Sequence, residues 1–281
     1  MLSSQPTWSI PDPTINLNTL NLTWSTLRSG SSRSFSGLVW RPYRCALRNS
    51  LATNIFLNKN VIFIGDSHIR TLFNFLLREF ANVLWTALKG IMEMQCVNLE
   101  IPFGRTLAGD NATWCFAWDP FGFAVMAKDW KSLFSANDTS LALIKWDVII
   151  TGIASHDMYT FRSLSGFRAR LPSFFAGLKA LPGAHLLLFW GAPMPPLRND
   201  AWVLPSKDMR TAHRVSAANE IVREEFYLEF SNQSAMFIDS ALITSALVDS
   251  STDLAHYLQP FVGKVYGQIV LMALEWLLFA S

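Results

Sequence analysis

Three side chains stand out for the chemistry they could share: Ser67, Asp253 and His256. A serine hydroxyl is a weak nucleophile until a base takes its proton, and an imidazole serves best when a carboxylate holds the ring and steadies its charge. In Asp253-Leu254-Ala255-His256 the carboxylate precedes the imidazole by three residues. On one turn, that spacing lets the aspartate accept a hydrogen bond from one ring nitrogen while the other faces a serine. The set would perform acyl transfer through a serine ester.

The elements around these residues must bring them together. Val61-Ile62-Phe63-Ile64 is an apolar, β-branched run between Asn58-Lys59-Asn60 and Gly65, as a buried parallel strand requires. Leu72, Phe73, Phe75, Leu76 and Phe80 then recur at helical spacing. Ser67 therefore falls where a strand ends and a helix begins, beside free backbone N–H groups and a positive dipole end that favour an oxyanion. A capping role for Ser67 is the plain alternative. Asp66 reads as structural, bonding loop amides. For Arg70, one turn on, an ion pair and a place near the substrate are comparable readings. His156 beside Asp157 is a second candidate acid/base pair, with loop organisation the safer reading. His68, His185 and His213 read as surface or structural. The absence of HxxxH and CxxC pairings argues against a dedicated metal site.

Farther along, strands and helices alternate. Residues 1–38 are rich in Ser, Thr, Asn and Pro, with Trp8 and Trp24 as isolated anchors, and read as an irregular arm; residues 39–281 read as one domain. Strands are expected at Gly122 to Met126, Trp146 to Thr151, His185 to Trp190 and Ala235 to Asp239. Helices are expected from Phe167 to Leu181 and from Asp208 to Phe230. The rhythm implies an α/β fold with a mainly parallel sheet, and ligands beyond the carboxyl ends of its strands. Ser67, the Ser155-His156-Asp157 loop and the Asp253–His256 loop all fall at such ends.

These residues resemble the SGNH or GDSL hydrolase superfamily, and within it the PC-esterase branch. Gly65 to Arg70 fit that branch's Gly-Asp-Ser-x-x-Arg block, in a text similar to luminal sialate O-acetyltransferases. Trp40-Arg41-Pro42-Tyr43-Arg44-Cys45 and Phe116-Ala117-Trp118-Asp119-Pro120-Phe121 resemble segments of plant polysaccharide O-acetyltransferases, and Asp253 with His256 match the Asp-x-x-His block. The resemblance spans about residues 40 to 275. It implies a three-layer α/β/α sandwich of flavodoxin-like kind, a Ser67-His256-Asp253 triad, and O-acetyl transfer or hydrolysis on glycan hydroxyls. It implies no tightly bound cofactor; acetyl-CoA or another acetyl donor would enter as a substrate. One departure concerns the oxyanion hole. No Gly-x-Asn-Asp block is present, and Trp146 to Asp157 stands in its place. The Ser67 amide is then the first donor, with Ser155, His156 and Arg70 as further candidates near the substrate. A catalytically inactive glycan- or protein-binding domain is the competing reading.

Composition agrees with one well-cored domain. The 281 residues are 51% hydrophobic and only 16% charged, with 11 Trp and 21 Phe, and most of these aromatics read as core. A net charge of +2 gives no electrostatic case for nucleic acid. Asn21, Asn111, Asn137 and Asn232 each begin an Asn-x-Ser/Thr sequon, where about two would arise by chance. Cys45, Cys96 and Cys115 permit one disulfide; Cys96 and Cys115 are the nearer pair, spacing does not choose, and three free thiols are an equal reading. Met1 to Ser9 is polar and is followed by Pro11 and Pro13, unlike a signal peptide. The resemblance implies a Golgi lumen or extracellular setting, and a targeting segment would then have to come from outside this sequence. The apolar stretch from Ile269 to Ala280, broken by Glu275, is short for a membrane span and reads as a terminal helix packed on the sheet. Membrane association would need a further segment, and nothing in the sequence speaks to oligomeric state.

Overall fold

The computed structural model describes residues 59–81, 95–99, 112–133, 144–159, 163–183, 186–195, 210–230, 234–245, 256–257 and 260–280. All of them belong to one compact unit, Leu47–Ser281; a second unit, Met1–Ala46, contains none. The expected arm and its boundary, the Trp40 to Cys45 segment, the four sequon asparagines, His185 and Asp253 lie outside the described residues.

The sheet is made of β1 (Val61–Gly65), β2 (Gln95–Leu99), β3 (Ala112–Trp118), β4 (Val148–Gly152), β5 (Leu186–Trp190) and β6 (Ala235–Ile238), in the order β2-β3-β1-β4-β5-β6. Every pairing is parallel except that of β2, which runs antiparallel on the edge beside β3. The helices are α1 (Ser67–Ala81), α2 (Phe123–Ala127), α3 (Trp130–Leu133), α4 (Ser155–Tyr159), α5 (Leu164–Lys179), α6 (Ala212–Glu229), α7 (Ser240–Thr244) and α8 (Pro260–Ala280).

Strand alternation sorts the helices into two layers. Ile62, Ile64, Cys115, Ala117, Ile149, Leu187, Phe189 and Phe237 face one way, into a core shared with Phe167, Leu171, Phe174 and Phe175 of α5 and Val222 and Phe226 of α6. Phe63 and Phe116 face the other way and meet Phe73 of α1 at ring-centroid distances of 5.0 and 6.1 Å, while Trp190 meets Tyr266 of α8 at 4.9 Å. The result is a three-layer α/β/α sandwich with a mainly parallel sheet. Each large apolar side chain taken fully out of water in it stabilises the fold by roughly 1.5–3 kcal/mol.

The strand expected over Gly122 to Met126 is instead α2. Asp119 accepts hydrogen bonds from the Phe123 and Val125 amides at 2.8 and 3.0 Å, and Gly122 turns the chain at φ 70°, so an apolar run that reads as a strand is wound into a helix. The sheet's strand in this region lies just upstream, at Ala112–Trp118. Cys96 and Cys115 are directly opposed on β2 and β3 and form a disulfide. Elsewhere the ends shift by a few residues, since side-chain caps fix them: Ser163 accepts from the Gly166 amide before α5, and Thr211 from the Arg214 amide before α6. The terminal helix α8 buries Val262, Tyr266, Ile269, Val270, Leu274 and Leu277. No helix among the described residues is long and apolar enough to cross a membrane.

Candidate active site

The chain runs from central β1 to β3 on one side and returns to β4 on the other, so β1 marks the point where the winding reverses. The crevice at the carboxyl end of such a strand is where doubly wound sheets place ligands. Gly65 ends β1 and pairs with Gly152, which ends β4. Both must be glycine for reasons of space: a Cβ on Gly65 would lie 2.4 Å from the Gly152 carbonyl oxygen, and one on Gly152 would lie 2.4 Å from that of Trp190. The bare strand ends let Ile69 of α1 settle against them, which fixes where the helix starts.

At that start the capping residue is Asp66. Its carbonyl accepts the first helical bond, from the Arg70 amide at 3.0 Å, and its Oδ1 accepts from the His68 amide at 2.8 Å. The Ile69 amide also faces this carboxylate. Ser67 is therefore not the cap. Its hydroxyl instead lies 2.6 Å from Nε2 of His256, a contact between residues 189 apart in the chain. Because Asp66 occupies the next two amides, the Ser67 amide is the one left at the helix start to face an oxyanion.

His256 is placed from its own side by Tyr257. That ring is buried, and its hydroxyl donates to the Met194 carbonyl in the loop after β5 at 2.7 Å. The His68 ring lies 4.9 Å from that of His256. The sequence offered one signal for this anchor, a tyrosine directly following the candidate base.

The loop after β4 brings in Ser155 and His156. Ala154 takes φ 102°, a left-handed conformation that costs a residue with a Cβ about 1–3 kcal/mol, and so turns the chain sharply into α4. Ser155 is buried and, with Asp66, His68, Ile69, Gly152 and Gly191, lines a small cleft at the strand ends. The His156 ring stands edge-on between Trp118 at 5.8 Å and Phe121 at 5.6 Å. Asp157, the next residue, is buried and ion-paired with Arg170 of α5. Arg70 lies over the Trp118 ring at 5.5 Å and, among the described residues, joins no ion pair.

Burial dominates the electrostatics. It pushes the Asp66 carboxyl above its usual range, against the pull of His156, His256 and the helix-start amides. Burial likewise lowers the pKa of His156, reinforced by Arg210 and His256 and opposed by Asp66. Among the described residues no group of three or more His, Cys, Asp or Glu side chains could hold a metal ion.

No family model and no curated protein matches the sequence. Solved structures to which the chain is similar include a peptidoglycan O-acetylesterase, at 13% identity and TM-score 0.39 over 55% of this chain and 44% of that one. Another is phospholipase A1 from Streptomyces albidoflavus, at 10% identity and TM-score 0.34 over 76% of this chain and 98% of that one. The chain thus spans less than half the length of the esterase it matches. Both TM-scores fall below 0.5.

Proposed function

We propose that the chain is a serine-dependent acyl-transfer enzyme of the SGNH/GDSL kind, PC-esterase branch, acting on O-acetyl groups of glycans. The observation that carries the reading is the 2.6 Å approach of His256 Nε2 to Ser67 Oγ at the carboxyl end of β1. In this scheme His256 takes the hydroxyl proton as Ser67 Oγ bonds to the acyl carbon. The Ser67 amide holds the developing oxyanion, and the proton passes to the departing alcohol as its ester bond breaks. In this scheme the role of orienting carboxylate for His256 falls to Asp253, on the Asp-x-x-His spacing of the sequence. Water or a second sugar hydroxyl then gives its proton to His256 as its oxygen bonds to the acyl carbon, and His256 returns that proton to Ser67 Oγ as the Oγ–acyl bond breaks, so the same residues serve an esterase and a transferase. Acetyl-CoA or a related donor would be a substrate of the transferase form. His156 and Ser155 extend the oxyanion side, and Arg70 stands on the substrate side. The setting consistent with this reading is a secretory lumen or the cell exterior.

A second reading, a catalytically silent domain that binds glycans or a protein partner, draws on the loop after β4. It reads Ile153-Ala154-Ser155-His156-Asp157 where the resemblance calls for a Gly-x-Asn-Asp block. A fluorophosphonate probe separates the two. Wild type is expected to label and Ser67→Ala is not, with acetate released from acetylated glycans by wild type alone. Labelling that persists in Ser67→Ala sinks the nucleophile assignment; glycan binding on an array with neither labelling nor acetate release establishes the silent reading.

A further inference from the structure

Beside the serine runs a row of rings of which the acyl chemistry uses His156 alone. Trp118 at the end of β3 meets His156 at 5.8 Å, His156 meets Phe121 at 5.6 Å, and Phe121 stacks on Phe123 at 5.4 Å with planes 24° apart. The row starts in the crevice, where Trp118 pairs in register with Gly65, and ends at Phe123, which is 48% exposed. A large aromatic side chain left that open, at the end of a row that begins beside the strand leading to Ser67, offers a contact surface.

The row is also held in fixed relation to the nucleophile. The Asp119 amide donates to the Gly65 carbonyl at 3.0 Å, two residues before Ser67, while the Asp119 carboxylate accepts from the Phe123 amide at 2.8 Å. From the far side, Arg170 donates to the Phe121 carbonyl at 3.3 Å and lies over the Phe123 ring at 5.6 Å. Flat apolar faces, interrupted by an imidazole and flanked by guanidinium groups, suit a ligand with an apolar face and a polar rim. A sugar ring has that form: its axial C–H groups lie on an aromatic face while hydroxyls around the edge meet donors. A fatty chain would call for an unbroken apolar channel instead.

We infer that Trp118, Phe121 and Phe123 form a run of stacking surfaces that seats the glycan chain bearing the scissile ester, with Phe123 taking a sugar ring outward of the esterified one. The inference rests on the acyl-transfer reading of Ser67 and adds to it a place for the glycan. It is tested with Phe123→Ala and Phe123→Trp, measuring kcat/KM on acetylated xylo- and chito-oligosaccharides and on p-nitrophenyl acetate. The ratio of oligosaccharide to small-ester activity is expected to fall about tenfold in Phe123→Ala and to be restored by Phe123→Trp, since one stacking contact accounts for that factor. An equal fall on both substrates overturns the subsite and makes Phe123 merely structural. So does wild-type turnover of p-nitrophenyl acetate with none of the acetylated sugars, or a loss in Phe123→Ala confined to long-chain p-nitrophenyl esters. Wild type that neither labels with fluorophosphonate nor cleaves p-nitrophenyl acetate sinks the acyl-transfer reading itself, an outcome distinct from these three.

Discussion

Tyr257 and Met194 are joined by a hydrogen bond of 2.7 Å from the phenolic hydroxyl to the main-chain carbonyl, and through it the residue after His256 is tied to the loop leaving β5. The imidazole is thus located by its neighbour's side chain as well as by its own contacts.

Tyr257→Phe removes this donor and leaves a carbonyl unpaired beside a buried ring. A stability loss of about 1–3 kcal/mol is expected in chemical denaturation. Fluorophosphonate labelling should slow several-fold, because His256 is less firmly held. An unchanged labelling rate would show that the anchor serves the fold alone.

Ser67→Ala and Asp66→Ala should separate chemistry from capping. Asp66 supplies the cap of α1, so its loss is expected to cost about 1 kcal/mol, measured by thermal melting. Ser67→Ala should melt within about 0.5 kcal/mol of wild type while labelling is abolished. The reverse order of stabilities would restore Ser67 as the cap.

Gly152→Ala forces a Cβ to within 2.4 Å of the Trp190 carbonyl and 2.8 Å of Ile69 Cδ1. Neither the strand nor the helix behind Ile69 gives way easily, and destabilisation of about 1–3 kcal/mol or more is expected from equilibrium unfolding. A neutral substitution would mean that the strand ends are more loosely packed than their geometry indicates.

His156 sets a pH dependence. Its folded pKa lies below the ordinary 6.5 through burial, so between those two values the unfolded chain binds more protons than the folded one. Stability should therefore fall as pH drops below about 6.5, and His156→Gln should flatten that part of a melting-temperature profile. Asp66 works oppositely. Burial raises its folded pKa above 3.8, so it binds the extra proton in the folded state, and its contribution declines as pH climbs from there through the folded value.

The strand–turn–helix around Ser67 was legible because apolar run, glycine and helical periodicity agree there, and the same agreement marked β4, β5, β6, α5, α6 and α8. β2 gave no such signal: it is an edge strand carrying Gln95 and Asn98. α2 misled because Phe123-Ala124-Val125-Met126 has strand-like residues, and only the Asp119 carboxylate, a tertiary feature, winds it up. Asp66 and Ser67 are both good capping residues, so sequence could not assign the cap between them. The disulfide was undecidable from spacing and follows from the pairing that sets Cys96 opposite Cys115. His256 was readable as a candidate base, whereas its Tyr257 anchor depends on a loop 63 residues away.

The Cys96–Cys115 bridge also keeps a hazardous surface covered. Ala112–Trp118 reads Ala-Thr-Trp-Cys-Phe-Ala-Trp, with three aromatics and neither a charge nor a proline, and β2 is what lies along its outer side. Stripped of that neighbour, such a strand is a template for cross-β pairing between molecules. Reducing agents are therefore expected to promote thioflavin-positive aggregation of the chain before they diminish its activity, which makes the bridge a guard of solubility as well as a staple of the sheet.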